Sequence, residues 1–298
     1  MFVTFFPVFY VLFGSSCGLQ NKKVCYGGNI DIHFRSFSMN NKLYFYPREG
    51  ERKLLMDNRE AKDPRLQVYS NSVKLTQLTE KDNGKFAIEM FRGEISHLFS
   101  MTILDCSEDI SLFFGKELVR IVPSRAELLE FTPFHSLDQP QLLWERANPH
   151  NNYGGRGKVS GDVFGISKVT QEDNGYYNFR HKNKYVVLRL KLTVEEDTNY
   201  YDFEESEDIF LQFPWASRDW TVTFKPYYND DEEITIIKAG SVVRSKNPFY
   251  HKIEIKDSGI NICCITNGDA GTFKFRDPAG NLALVSRVQI NGEYIFCK

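Results

Sequence analysis

Apolar and polar residues alternate with period two through much of this 298-residue chain. Ile30-Asp-Ile32-His-Phe34 is a clear example, and Ile209-Phe-Leu211-Gln-Phe213 keeps an apolar residue at every second position with Phe210 as an extra one between. Such alternation predicts strands that bury one face and leave the other to water. The first residues depart from it. Met1 to Phe13 is a nearly continuous apolar run, closed by Gly14-Ser-Ser-Cys-Gly18. It is shorter than the roughly 20 apolar residues that span a bilayer. It reads as a secretory signal over residues 1–18, although no Lys or Arg precedes the apolar core. The other reading of this run is a buried first strand.

The alternation is organised by an internal repeat. Three segments share it, around Asp82, Asp173 and Asp269. Counting back from each Asp, apolar residues stand at −9, −7 and −4. They are Val73, Leu75 and Leu78, then Phe164, Ile166 and Val169, then Ile260, Ile262 and Ile265. Glycine follows at +2 (Gly84, Gly175, Gly271), an aromatic at +4 (Phe86, Tyr177, Phe273) and an apolar residue at +6 (Ile88, Phe179, Phe275). The period-two pairs on either side predict strand, turn, strand. Seventeen residues before each Asp stands a basic residue: Arg65, Arg156 or Lys252. The copies are 91 and 96 residues apart, which predicts domains of that size.

This unit resembles the corner between strands E and F of immunoglobulin-superfamily domains. The resemblance implies an all-β fold, three immunoglobulin-like β-sandwiches in tandem over residues 19–106, 107–196 and 197–298. It implies variable-type domains, in which the basic residue pairs with the aspartate: Arg65 with Asp82, Arg156 with Asp173, Lys252 with Asp269. It makes Phe86, Tyr177 and Phe273 the corner aromatics. The usual inter-sheet cysteines are missing. Ile88, Phe179 and Phe275 occupy the strand-F position, and Phe34, Phe131 and Phe213 are the expected partners on strand B. Losing such a bridge costs about 2–5 kcal/mol, and burying a large apolar side chain contributes about 1.5–3 kcal/mol. Apolar pairs therefore offset much of the loss. On strand C the expected core residues are Phe45, Trp144 and Phe224.

Of six cysteines, Cys17 falls in the signal segment. The resemblance implies that the first strand runs beside the last, so Cys25 and Cys106 are a candidate disulfide, with two free thiols as the alternative. Cys263 and Cys264 are neighbours and would bridge only under strain. They are read as core thiols or left unassigned, and Cys297 is free to bond another chain.

Net charge is −2, which points to neither nucleic acid nor an anionic membrane. The composition, 42% hydrophobic and 26% charged, is that of a folded globular chain. The six histidines are scattered, and no metal, nucleophile, phosphate-loop or dinucleotide motif is present. No enzyme activity and no cofactor are expected. Tyr153-Gly-Gly-Arg-Gly157 reads as a loop, and Asp230-Asp-Glu-Glu233 as a solvated turn. Glu195 to Asp208 holds eight acidic residues among 14 and reads as an exposed linker. Tyr200 and Tyr201 inside it have the acidic setting of tyrosine sulfation, or are simply packed.

The resemblance implies recognition of another protein, a cell-surface or secreted ligand, with self-association as a further possibility. Such binding often uses the sheet of strands G, F, C and C′. In the first domain Leu43 and Phe45 should point inward, turning Tyr44 and Tyr46 outward. Lys85 and Glu89 share that face, and Arg92 and Glu94 lie at the F–G turn. In the second domain the corresponding tip, Arg180-His-Lys182-Asn-Lys184, suits an acidic partner or is an ordinary polar hairpin. The expected role is therefore extracellular recognition of the immune-receptor or adhesion type. The alternative is an intracellular structural array of disulfide-free domains, as in muscle scaffolds.

Overall fold

A computed structural model describes residues 19–34, 41–89, 93–150, 156–181, 185–215, 219–227 and 233–291. Residues 1–18, for which the sequence suggests a signal, together with Cys17, Arg92, Cys297, the 182–184 tip and most of the 153–157 and 230–233 segments, lie outside the described residues. The chain divides into two compact units, residues 1–106 and 107–298. Among the described residues no helix is long and apolar enough to cross a membrane.

The first unit is one sandwich. Its strands are β1 (Asn21–Cys25), β2 (Ile30–His33), β3 (Lys42–Pro47), β4 (Lys53–Asp57), β5 (Glu60–Ala61), β6 (Leu66–Val68), β7 (Ser72–Leu75), β8 (Gly84–Glu89) and β9 (Ile95–Leu104). One sheet has the order β1-β9-β8-β3-β4-β5 and the other β2-β7-β6. β1 runs parallel to β9, with Cys25 opposite Leu104. Inward residues from both sheets form one core, including Ile32, Leu43, Phe45, Val73, Leu75, Phe86 and Phe99.

The second unit holds two more sandwiches. The first has β10 (Glu108–Phe113), β11 (Leu118–Ile121), β12 (Leu128–Pro133), β13 (Gln141–Glu145), β14 (Lys158–Ser160), β15 (Val163–Ile166), β16 (Gly175–His181) and β17 (Tyr185–Glu195). Its sheets are β10-β17-β16-β12-β13 and β11-β15-β14. The next has β18 (Asp197–Glu204), β19 (Ile209–Gln212), β20 (Thr221–Pro226), β21 (Ile234–Lys238), β22 (Ser241–Val242), β23 (Ile253–Lys256), β24 (Gly259–Ile262), β25 (Gly271–Arg276) and β26 (Leu282–Asn291). Its sheets are β18-β26-β25-β20-β21-β22 and β19-β24-β23. The parallel edge pairing recurs as β10 on β17 and β18 on β26. All three sandwiches are immunoglobulin-like by this strand order.

One residue separates β17 from β18, and the two sandwiches share a continuous apolar cluster. Phe114 stacks on Trp215 with ring centroids 4.7 Å apart, and Trp215 packs against Trp220 at 5.1 Å. Gln171 Nε2 donates to the carbonyl of Leu282 at 2.7 Å.

The acidic stretch is therefore no linker. Asp197–Glu204 is an edge strand hydrogen-bonded to β26. Tyr201 and Phe203, two residues apart, pack against the core while Asp202 between them and Glu204 beyond them face water. Tyr201 is thus partly buried, and Tyr200 is 75% exposed.

A second correction concerns strands B and C of the middle sandwich. Phe131 lies on β12, which pairs with β16 and β13, so it belongs to strand C. Trp144 lies on β13, one strand further out. Strand B is β11. Leu118 pairs with Ile166 as Ile30 pairs with Leu75 and Ile209 with Ile262. Four residues on from these, Phe34, Val122 and Phe213 are equivalent. Val122, not Phe131, holds the strand-B position opposite Phe179, and both are buried. Phe131 is instead the counterpart of Phe45 and Phe224. Each of the three sits directly across from its corner aromatic: Phe45 and Phe86, Phe131 and Tyr177, Phe224 and Phe273.

Candidate functional site

The most repeated constellation is the corner itself. A threonine at −3 (Thr79, Thr170, Thr266) starts a single 3-10 turn that ends on the aspartate. Each threonine N–H donates to that carboxylate at 2.8 Å. Asp82 also receives Arg65 through Nη1 at 2.8 Å and Nη2 at 2.9 Å. Arg65 reaches Asp63 as well, through Nε at 3.2 Å and Nη2 at 2.9 Å. The hydrogen bond to Asp82 raises the Arg65 pKa against the opposing effect of burial. Burial acts to raise the Asp63 carboxyl, but the hydrogen bonds from Arg65 outweigh it and hold it below its usual value. Arg156 Nε donates to Asp173 at 2.8 Å, and Lys252 pairs with Asp269.

The glycine at +2 has a steric reason. A Cβ on Gly84, Gly175 or Gly271 would collide with the carbonyl of Tyr46, Thr132 or Lys225 and with the ring of Phe45, Phe131 or Phe224. The strand-C phenylalanine thus closes over the turn that the repeat encodes. Tyr177 alone of the corner aromatics carries a hydroxyl, which donates to the carbonyl of Asp173 at 3.0 Å. Burial pushes the Tyr177 pKa well up. Asn83 and Asn174 accept backbone N–H bonds from Ile103 at 2.7 Å and Val194 at 2.6 Å, tying the turn to the last strand. Apart from the buried Thr170 hydroxyl, these hydrogen bonds close within the sandwich, which makes the corner an element of its architecture.

The disulfide-replacing positions are filled by apolar contact. Phe213 and Phe275 meet edge to face with centroids 6.0 Å apart. Phe34 is half-buried at the margin of its core, and Ile88 is buried. Cys25, at the end of β1, and Cys106, two residues past the neighbouring β9, form a disulfide with Cα atoms 5.5 Å apart.

The candidate binding face is the outer side of the larger sheet in the first sandwich. One cross-strand row runs Tyr46, Lys85, Ser100 and Asn21. The next runs Leu54, Tyr44, Ala87 and His97. A shallow hollow is lined by Tyr46, Arg48, Lys85, His97 and Ser100. Tyr46 and His97 meet edge to face at 5.7 Å. Leu54 and Ile95 add exposed apolar area, and Lys85 and Glu94 are exposed.

Tyr44 does not stand out from this face as its position predicted. It is 8% exposed. The Arg52 guanidinium lies over its ring at 4.9 Å, and a hydrogen bond links it to Glu89. Burial first, and that bond second, raise its pKa. Glu89 in turn is half-buried and 4.0 Å from Lys42. Tyr46, Lys85 and Glu94 remain as the accessible part of the predicted set, and His97, outside that set, joins them on this face.

No family model matches the chain, and no curated protein matches it. Similar solved structures include the I9-I11 tandem from titin, 11% identical over 92% of this chain and 97% of that one, TM-score 0.23. The N-terminal four Ig domains of Dscam1 isoform 8.4 are 11% identical over 91% of this chain and 76% of that one, TM-score 0.24. The extracellular domains of the voltage-gated sodium channel beta4 subunit are 15% identical over 29% of this chain and 91% of that one, TM-score 0.25. Whole-chain superposition at such scores is poor, and the fold assignment rests on strand order and register.

Proposed function

We propose that this chain is an extracellular recognition protein of variable-type immunoglobulin domains, without catalytic activity, that binds another protein through the larger sheet of its first sandwich. The Cys25–Cys106 disulfide carries the extracellular reading, because such bonds persist in oxidising compartments. The parallel first strands, and the extra strands β4 and β5 beyond β3, support the variable type. The face supports protein binding. Tyr46 is of the aromatic type enriched at interfaces, and the exposed Leu54 and Ile95 add apolar area beside it.

The test is binding of the multimerised, secreted full chain to intact cells. Binding should be abolished by protease treatment of the cells and reduced at least about tenfold by Tyr46→Ala with Lys85→Glu, the loss of about 1.4 kcal/mol. Undiminished binding by that variant would refute the face.

One observation favours the intracellular scaffold instead. Cys263 and Cys264 are free, and Cys264 is exposed. Exposed thiols persist more readily in a reducing compartment.

A further inference from the structure

Consecutive side chains of an extended strand point to opposite faces. Cys263 and Cys264 do not follow that rule. β24 ends at Ile262, and Cys264 takes a positive φ of 51°. The bend brings both sulfurs and a carboxylate oxygen of Asp208 within 4.8 Å of one another. Asp208 stands just before β19, the strand paired with β24, and its Oδ1 accepts the N–H of Cys264 at 3.0 Å. That bond orients the carboxylate toward the thiols. Cys263 is half-buried, while Cys264 and Asp208 are exposed, so an ion has direct access from solvent.

The backbone alone does not account for the cluster. The same bend occurs at Gln77 (φ 55°) and Lys168 (φ 54°), each five residues before its turn aspartate. There the paired positions are Thr76-Gln77 and Ser167-Lys168, and the residues matching Asp208 are Asn29 and Glu117. The fold supplies the bend in all three sandwiches. Only the third fills it with two thiols and a carboxylate.

We infer that Asp208, Cys263 and Cys264 form a metal site that takes one zinc ion. Zinc binds thiolate at about 2.3 Å and carboxylate at about 2.0–2.2 Å, so two of its tetrahedral ligands lie roughly 3.5–3.8 Å apart. Rotation of the exposed Cys264 side chain closes the remaining distance. Two thiolates select a soft or borderline cation over calcium or magnesium. Binding displaces the two thiol protons to solvent. Three protein ligands leave a fourth tetrahedral position for water or for a donor from a partner protein. The site lies within the third sandwich and does not depend on the binding face of the first.

The experiment titrates the full, folded chain with cobalt(II) as the spectroscopic probe, then with zinc. One equivalent of cobalt should give a thiolate charge-transfer band and the d–d intensity of a tetrahedral site, and one equivalent of zinc should abolish both. Cys263→Ser with Cys264→Ser should remove the band. Asp208→Asn should weaken binding at least about tenfold and keep the band. Cys297→Ser should change nothing. Should the double serine variant fail to fold, alkylation of the native chain decides: zinc should slow modification of Cys263 and Cys264 at least about tenfold relative to zinc-free protein. A band that persists in the double variant, a band lost in Cys297→Ser, alkylation unaffected by zinc, or a Cys263–Cys264 disulfide in the purified chain would each overturn the assignment.

Discussion

Replacing Asp82 with alanine removes the acceptor of two Arg65 hydrogen bonds and of the Thr79 N–H. Truncating one side of a fully buried pair costs about 3–5 kcal/mol. Here Arg65 keeps Asp63 and its side chain is 27% exposed, so the loss is smaller. Adding the unpaired backbone donor, we expect about 2–3 kcal/mol. Asp173→Ala removes the same threonine bond but leaves Arg156, 43% exposed, free to turn to water. Its expected cost is about 1–2 kcal/mol. Chemical denaturation of a chain with several domains is not two-state, so local hydrogen exchange is the better assay. Protection of the Phe86, Ala87 and Ile88 amides should fall about 30- to 150-fold in Asp82→Ala, since tenfold corresponds to 1.4 kcal/mol. A loss below about threefold, or a larger effect from Asp173→Ala than from Asp82→Ala, would refute the reasoning.

Alanine at Gly84, Gly175 or Gly271 should cost at least about 1–3 kcal/mol by overpacking against the strand-C carbonyl and phenylalanine. Gly268→Ala, whose nearest neighbour would be 3.9 Å away, should stay within about 0.5 kcal/mol, both read from exchange or thermal melts. Replacing Cys25 and Cys106 by serine opens a bridge between residues 81 apart and should destabilise the first sandwich by about 2–5 kcal/mol, seen as lost protection in β8 and β9. Because the Asp63 pKa is lowered on folding, its contribution is present above the unfolded value of about 3.9 and is lost as pH falls through the lower folded value. Exchange protection of the first sandwich should therefore drop below about pH 4, and Arg65→Met should flatten that dependence. Trp215→Ala removes the ring stacked on Phe114, so the second and third sandwiches should melt as separate transitions where the native chain melts them together.

The corner was legible because its chemistry is local. Aspartate, glycine and aromatic fall within five residues, and alternation on both sides marks the strands. The threonine at −3 is equally present in all three copies and supplies the turn's first hydrogen bond to the aspartate, a role that the apolar alternation does not mark. Strand B of the middle sandwich was missed for a different reason. Val119 and Ile121 on β11 are apolar yet face water, and Arg120 takes an inward-phase position, so the alternation there is out of register. The more regular β12 was read in its place, and Phe131 with it. The acidic edge strand hid behind its charge. Its signal was the spacing of Tyr201 and Phe203, whose rings stack at 5.9 Å. Tyr44 shows the limit of strand parity. Alternation tells which face the ring is on, but of the groups that cover it Arg52 stands just before β4 and Glu89 at the end of β8. The proximity of Asp208 to the two cysteines depends on a positive-φ bend five residues before the turn aspartate, which the alternation of apolar and polar residues does not reveal.

The most direct test of the extracellular account is intact mass of the full chain expressed in a secretory cell, taken from the medium before and after reduction. The account predicts a secreted species cut near residue 18 that gains the mass of two hydrogens on reduction, with the bridge mapped to Cys25 and Cys106. An uncut chain held in the cytosol with Cys25 and Cys106 both free would contradict it and favour the intracellular array.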